Sequence, residues 1–249
     1  MRIFKDDKVN QVNVLDERFY TMDNKTFYPS VTTVLNVYPK GYGYQDWLKQ
    51  VGYNADIVVT KAAEQGSNVH NAIEDFLNGK ELVWIDDAGK ENFTFKEWSM
   101  ISKFMEFYEK YIANDPGNEV LGIEYTAFSD KMKLGGTVDL VCRIDGEIWI
   151  IDHKTSNALY VTNQMQLACY KEMWDEKNPD QKIDRYGILW LNSSHRTEKQ
   201  FQGVGWVLAE FTKKHDHNLK LYNHTRALWD EENPNYKPKN LSFKNSFKK

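Results

Sequence analysis

The stretch LGGTVDLVCRIDGEIWIIDHKTS, Leu134 to Ser156, decides how this chain is read. Two apolar runs flank Asp145-Gly146, a pair that tolerates the positive φ angles of a two-residue hairpin turn. With those residues as the loop, Ile144 faces Glu147, and the same register carried back along the strands sets Asp139 opposite Asp152. Like charges directly opposed on a sheet destabilise it, and adjacent carboxylates do not both ionise cheaply without a positive charge between them. The pattern therefore predicts a bound cation. Lys154, two residues beyond Asp152, lies on the same face of its strand because side chains alternate with a period of two. Ile148, Trp149, Ile150 and Ile151 form an unbroken apolar run, which predicts a strand covered on both faces. Buried acids need partners, so the hairpin predicts a metal site with a lysine beside it.

Composition sets the frame around this hairpin. The chain has 249 residues, 41% hydrophobic and 27% charged, enough apolar content to bury a sizeable core. No apolar run approaches the roughly 20 residues of a membrane helix, and the opening MRIFKDDKVNQVNV lacks the apolar segment of a secretory signal; a cytoplasmic protein without membrane contact is expected. Two cysteines, Cys142 and Cys169, are too few for a four-cysteine cluster and read as buried thiols. A formal net charge of −4 gives no global attraction to nucleic acid, so any contact with DNA rests on local basic patches. The tail from Asn233 to Lys249 is such a patch, with five lysines and no acid; it suits either a solubilising end or a nucleic-acid-contacting arm.

Residues 1–28 alternate short apolar runs with polar turns, as an edge hairpin or an irregular arm does. Ser30 is positioned to cap a helix carrying Val31, Val34 and Leu35. The hydroxyls of Ser30, Thr32 and Thr33 suit either that capping or a phosphate at the helix start. A second short helix follows from Tyr44 to Val51. From about Ala55 to Asn78, apolar residues recur at the spacing of one long amphipathic helix. Gly66 lies inside it, where glycine costs about 1 kcal/mol relative to alanine and implies close approach of something else. His70 and Glu74 follow at four-residue steps, on the same stripe. A lone histidine on an apolar helix is ordinarily a structural residue, and His70 alone proves nothing.

Phe93 to Ala113 reads as a further helix, ended by the Asn114 to Gly117 turn. Val120 to Ser129 reads as a strand entering the central hairpin, so three consecutive antiparallel strands are expected. Glu124 on the first of them is either solvated or joined to the acids of the other two. After the hairpin, Ala158 to Trp174 reads as a helix with Gln166 and Tyr170 on one face. Tyr186 to Leu191 suits a buried strand, followed by a polar loop over Asn192 to Lys199 and a strand near Phe201. Trp206 to Glu232 reads as one long final helix, on which His215 and His217, two apart, face different ways. No internal repeat or flexible linker is evident, and one domain spanning 1–249 is expected: a mainly helical portion over 1–115, a core and final helix over 116–232 and a basic tail over 233–249.

An acid on one hairpin strand followed by Asp-X-Lys on the next, here Asp139 and Asp152-His153-Lys154, resembles the active site of the PD-(D/E)XK nuclease superfamily. Upstream, GSNVHNAIEDFLNG (Gly66 to Gly79) is similar to the helical His motif of its RecB-like branch. Downstream, QLACY (Gln166 to Tyr170) is similar to that branch's Gln-X-X-X-Tyr motif, in the same order. PSVTTVL (Pro29 to Leu35) resembles a segment of phage-encoded exonucleases and of the mitochondrial genome maintenance exonuclease, which also has a counterpart of IDHKTS. The likeness covers roughly residues 29 to 190. Val138 stands where the superfamily's proline precedes the first Asp, a proline that members of this branch often lack.

The resemblance implies an α/β fold with a restriction-endonuclease-like core, a mixed central sheet flanked by helices with an N-terminal helical portion. It also implies a role for each residue. His70, Asp139 and Asp152, with Glu124 from the preceding strand and the backbone carbonyl of His153, match the metal-binding positions; Lys154 matches the catalytic lysine; and Gln166 and Tyr170 match substrate-positioning residues. The cofactor is then Mg2+ or Mn2+, one or two ions, with no iron–sulfur cluster because the required cysteines are missing. The implied function is a metal-dependent DNA exonuclease acting on ends of single-stranded DNA in phage or bacterial recombination, repair or replication. A recombinase or single-strand-binding protein is the implied partner. A non-catalytic single-stranded DNA-binding module and a structure-specific endonuclease with the same site are the alternatives. Aromatic residues, 14% of the chain, suit either base stacking or core packing.

Overall fold

The computed structural model of the protein describes residues 9–14, 17–191 and 205–239. The polar loop expected over Asn192 to Lys199, the strand expected near Phe201 and the end of the basic tail lie outside them. The N-terminal segment forms a small antiparallel sheet of β1 (Asn10–Val14), β2 (Glu17–Thr21) and β3 (Tyr28–Pro29), so the edge-hairpin reading holds. Four helices follow: α1 (Val31–Leu35), α2 (Tyr42–Val51), α3 (Ala55–Leu77) and α4 (Phe95–Tyr108), the last extended by a π-helical turn over Glu109–Ala113. The start of α4 is secured by a capping box between Thr94 and Glu97. Glu97 also accepts a 2.7 Å hydrogen bond from Asn68 Nδ2, which ties α4 to α3.

The remaining strands build one mixed sheet in sequence order: β4 (Glu119–Ser129), β5 (Leu134–Ile144), β6 (Glu147–Lys154), β7 (Arg185–Trp190) and β8 (Val207–Glu210). β4, β5 and β6 are antiparallel neighbours, and β6 and β7 are parallel. A parallel pair needs a crossover, here α5 (Val161–Lys177), which lies over the sheet. Ile148, Ile150 and Val138 pack with Met165, Met173 and Trp174 of α5 on one face. Trp149, Ile151 and Leu140 pack with Val69 and Ile73 of α3 and Phe104 of α4 on the other. The unbroken apolar run of β6 is thus buried on both sides, and Cys142 and Cys169 are buried thiols.

The final helix is shorter than its sequence pattern suggests. α6 spans His215–Glu232, whereas Val207–Glu210 pairs antiparallel with β7 as the edge strand β8. The open backbone groups of β7 supply a ladder that a helix over the same residues would leave unmet, and Leu208 packs against the core. Part of the lysine-rich tail is placed too: Tyr236 stacks on Phe19 at 4.9 Å between ring centroids, and Lys239 Nζ lies 3.8 Å from Glu17. No helix among the described residues is long and apolar enough to cross a membrane.

Candidate active site

The hairpin forms in the register its turn dictates. Asp145 and Gly146 have φ of 54° and 83°, Ile144 faces Glu147, and the pairing continues to Leu140 opposite Ile151. There the ladder stops, one step short of the acids. The His153 N–H donates instead to Asp139 Oδ2 at 2.8 Å, while Asp152, His153 and Lys154 keep their pairing with β7. A matching irregularity lies across β5. Its register with β4 runs from Ile123 opposite Leu140 to Tyr125 opposite Val138, skipping Glu124 and Asp139 between them. Glu124 has φ of 45°, uncommon for a residue other than glycine. Across it the strands exchange faces: Ile123 and Leu140 belong to the α3–α4 core, Tyr125 and Val138 to the α5 core. Backbone strain of this kind is costly and gathers at functional sites.

The splayed ends bring two clusters together. In the first, His70 Nδ1 lies 3.5 Å and His153 Nδ1 3.9 Å from Asp139 Oδ2. His70, Asp139 and His153 each offer one ligand atom within 4.8 Å of the others. In the second, Lys154 Nζ is 2.6 Å from Asp152 Oδ2, and Gln166 Nε2 donates to Asp152 Oδ1 at 3.3 Å and to the Tyr170 hydroxyl at 2.9 Å. His153 Nε2 is buried without a hydrogen-bond partner, and its ring is braced edge-on by Phe104. Two imidazoles and a carboxylate whose ligand atoms span so short a distance fit a divalent ion.

The electrostatics follow from burial against pairing. Burial, with Asp139 adding to it, lifts the Asp152 carboxyl to about 6 although Lys154 opposes the rise. Burial lifts Glu124 further, to about 8, helped by Asp139, Glu74 and Asp152. Burial acts the same way on Asp139 but is outweighed by His70, His153, Lys154 and the His153 amide, which hold it below the usual carboxylate range. Burial drives the His153 imidazole down to about 3, so it is neutral, the state in which imidazole binds metals. Lys154 stays charged: burial disfavours its ammonium, but Asp152 and Asp139 raise it overall.

Local packing explains how the distant parts reach the site. At Gly66 of α3 an added Cβ would lie 3.1 Å from Thr155 Oγ1, so the glycine lets α3 close on the end of β6 and delivers His70, one turn on, to Asp139. At Gly136 of β5 an added Cβ would lie 2.4 Å from the Tyr170 ring, so Tyr170 reaches Gln166 only because that position is bare. Past Lys154, the Leu191 N–H donates to the Lys154 carbonyl and Trp190 Nε1 to the Ser156 carbonyl, fixing the strand end. Ser30, Thr32 and Thr33 hydrogen-bond among themselves at the start of α1. Ser30 Oγ accepts from the Thr33 amide at 3.0 Å and pairs with the Thr32 and Thr33 hydroxyls at 2.9 and 2.7 Å, which is the capping alternative.

Sequence reasoning did not anticipate the His153 side chain. Alternation puts it on the face opposite Asp152, and only the kink at Asp139 turns that acid toward it. The model of the PD-(D/E)XK nuclease superfamily matches residues 44–238. No curated protein matches the chain.

Proposed function

The chain belongs to the PD-(D/E)XK nuclease superfamily, and from that premise we propose that it is a divalent-metal-dependent exodeoxyribonuclease of the RecB-like kind, acting on ends of single-stranded DNA. The observation that carries the reading is the open end of the β5–β6 hairpin, where His70 and His153 gather on Asp139 while Lys154 and Gln166 hold Asp152. Asp139, Asp152 and His70 would hold Mg2+ or Mn2+, with His153 and Glu124 adjoining. A bound divalent ion supplies charge neutralisation at the phosphodiester and a water of lowered pKa. Lys154, kept protonated by Asp152 and Asp139, donates hydrogen bonds to the attacking water or the charge-gaining phosphoryl oxygens from a preorganised position. Gln166 spans Asp152 and Tyr170, so it fixes the carboxylate's orientation and carries the Tyr170 hydroxyl with it.

Action on ends and on single strands rests on the resemblance to exonucleases around Pro29 to Leu35 and on the helices that precede the catalytic strands. A phage or bacterial recombination, repair or replication role, in the cytoplasm and alongside a recombinase or single-strand-binding protein, belongs to the same reading. Imidazole ligands favour ions softer than Mg2+, so Mn2+ should support activity at least as well. The test incubates the protein and an Asp152→Ala variant with end-labelled linear single strands, linear duplex and circular single strands, in Mg2+, in Mn2+ and in chelator. The expected result is degradation of linear substrates alone, lost on the order of 10³-fold or more in the variant and abolished by chelator. Cutting of circles would support the endonuclease instead, and binding without cleavage the non-catalytic module.

A further inference from the structure

The three-stranded N-terminal sheet lies outside the matched residues 44–238, yet it packs on the strand that carries Asp139. β2 is antiparallel to β3, and Ser30, directly after β3, bridges Gly135 of β5 in the parallel sense. β2 therefore runs antiparallel to β5. Tyr20 is fully buried over Gly135, where an added Cβ would lie 2.2 Å from its ring, and its hydroxyl is 3.0 Å from Thr137 Oγ1. Stepping back two residues along β2, from Tyr20 to Arg18, stays on the same face. Because the strands are antiparallel, that step follows β5 from Gly135 to Thr137, in the direction of Asp139. Arg18 accordingly stands within electrostatic reach of the Tyr20 hydroxyl and of the Glu124 carboxylate.

The site needs such a cation. On the reading above, Lys154, which also pairs with Asp152 at 2.6 Å, and the divalent ion serve the scissile phosphate, so the neighbouring phosphates of a polyanion still face the site's acids. Arg18 is exposed and, among the described residues, forms no ion pair with a carboxylate. A guanidinium presents a planar fork of donors matched to a phosphate. We propose that Arg18 binds a backbone phosphate of the substrate strand beside the scissile one, making the N-terminal hairpin part of the substrate groove. Tyr20 is the positioning residue: anchored between Gly135 and Thr137, it holds β2 at the height where Arg18 reaches that phosphate. This inference rests on the nuclease reading above.

The experiment measures anisotropy of a short fluorescein-labelled oligo(dT) over a salt series, with Ca2+ in place of the activating ions so that binding is read without turnover, and then steady-state cleavage in Mn2+. Arg18→Ala should bind about tenfold more weakly, with a salt slope shallower by about 0.7, the share of one phosphate contact on a single strand. Its loss in kcat/KM should fall mainly on KM, with melting temperature unchanged. Arg18→Lys should retain part of the affinity. Arg143→Ala, which removes an arginine paired with Glu119 at the far end of β5, serves as the charge control and should leave binding unchanged. An Arg18→Ala protein with wild-type affinity and salt slope, or an equal loss in Arg143→Ala, would overturn the proposal while leaving the nuclease reading intact. A wild type that neither binds nor cuts DNA would overturn both.

Discussion

The two ends of the β5–β6 hairpin are built from the same strands to opposite purposes. At the turn end every pair is made, Asp145 and Gly146 take the positive φ the turn demands, and the Asp145 amide donates to Asn118 Oδ1 at 2.8 Å. Ile148 and Ile150 are buried against α5. At the open end the ladder stops, Asp139 turns to the His153 amide and the His70 and His153 rings, Asp152 is held by Lys154 and Gln166, and a glutamate sits at φ of 45°. The turn end stabilises the fold, and the open end, on the proposed reading, spends part of that stability to hold charges in a geometry that a divalent ion would complete.

The contrast can be broken at either end. The largest effect on stability is expected at the turn end. Ile150 is fully buried, and Ile150→Ala should lower the unfolding free energy by about 3 kcal/mol through lost burial and a residual cavity. Chemical denaturation would show this, while the folded fraction should still bind Mn2+. A loss of ion affinity matching the loss of stability would mean that the two ends are not separable.

A smaller effect of opposite sign is expected at the open end. Burial raises the Glu124 carboxyl from the ordinary value to about 8, so the folded protein takes up a proton there between about pH 4.5 and pH 8. The protonated folded state is favoured at low pH, and stability falls as pH rises through that window. Glu124→Gln removes the dependence. In chelator the variant should match the parent near pH 5 and exceed it by on the order of 2 kcal/mol near pH 9. Melting curves at the two pH values read this directly, and a variant less stable than the parent at pH 9 would contradict a strained, acid-crowded open end.

Much of this was legible in the sequence because it depends on short-range rules. Asp145-Gly146 sets the register, which holds as far as Leu140 opposite Ile151 and so brings Asp139 and Asp152 to the same end of the hairpin although the two do not pair, and strand alternation puts Lys154 beside Asp152. Gly66, His70 and Glu74 on one stripe, and Gln166 with Tyr170 on another, follow from helical spacing. What was hidden depends on contacts between elements. Residues 206–232 carry a helical pattern, and only the open edge of β7 draws Val207–Glu210 into the sheet. The His153 imidazole joins the site because both strands change faces at Glu124 and Asp139, and no local signal in GIEYT marks a positive φ at its glutamate. Arg18 is one arginine in a short hairpin until the packing of Tyr20 on Gly135 places it near the acids.

The central claim, that the open end of the hairpin is a divalent-metal site, is tested most directly by calorimetric titration of Mn2+ into the wild type, Asp139→Asn and His70→Ala. The wild type should bind Mn2+ and each variant should lose at least about 10- to 100-fold in affinity, the range already seen when groups that merely orient a ligand are removed. Equal Mn2+ affinity in all three proteins would contradict the account.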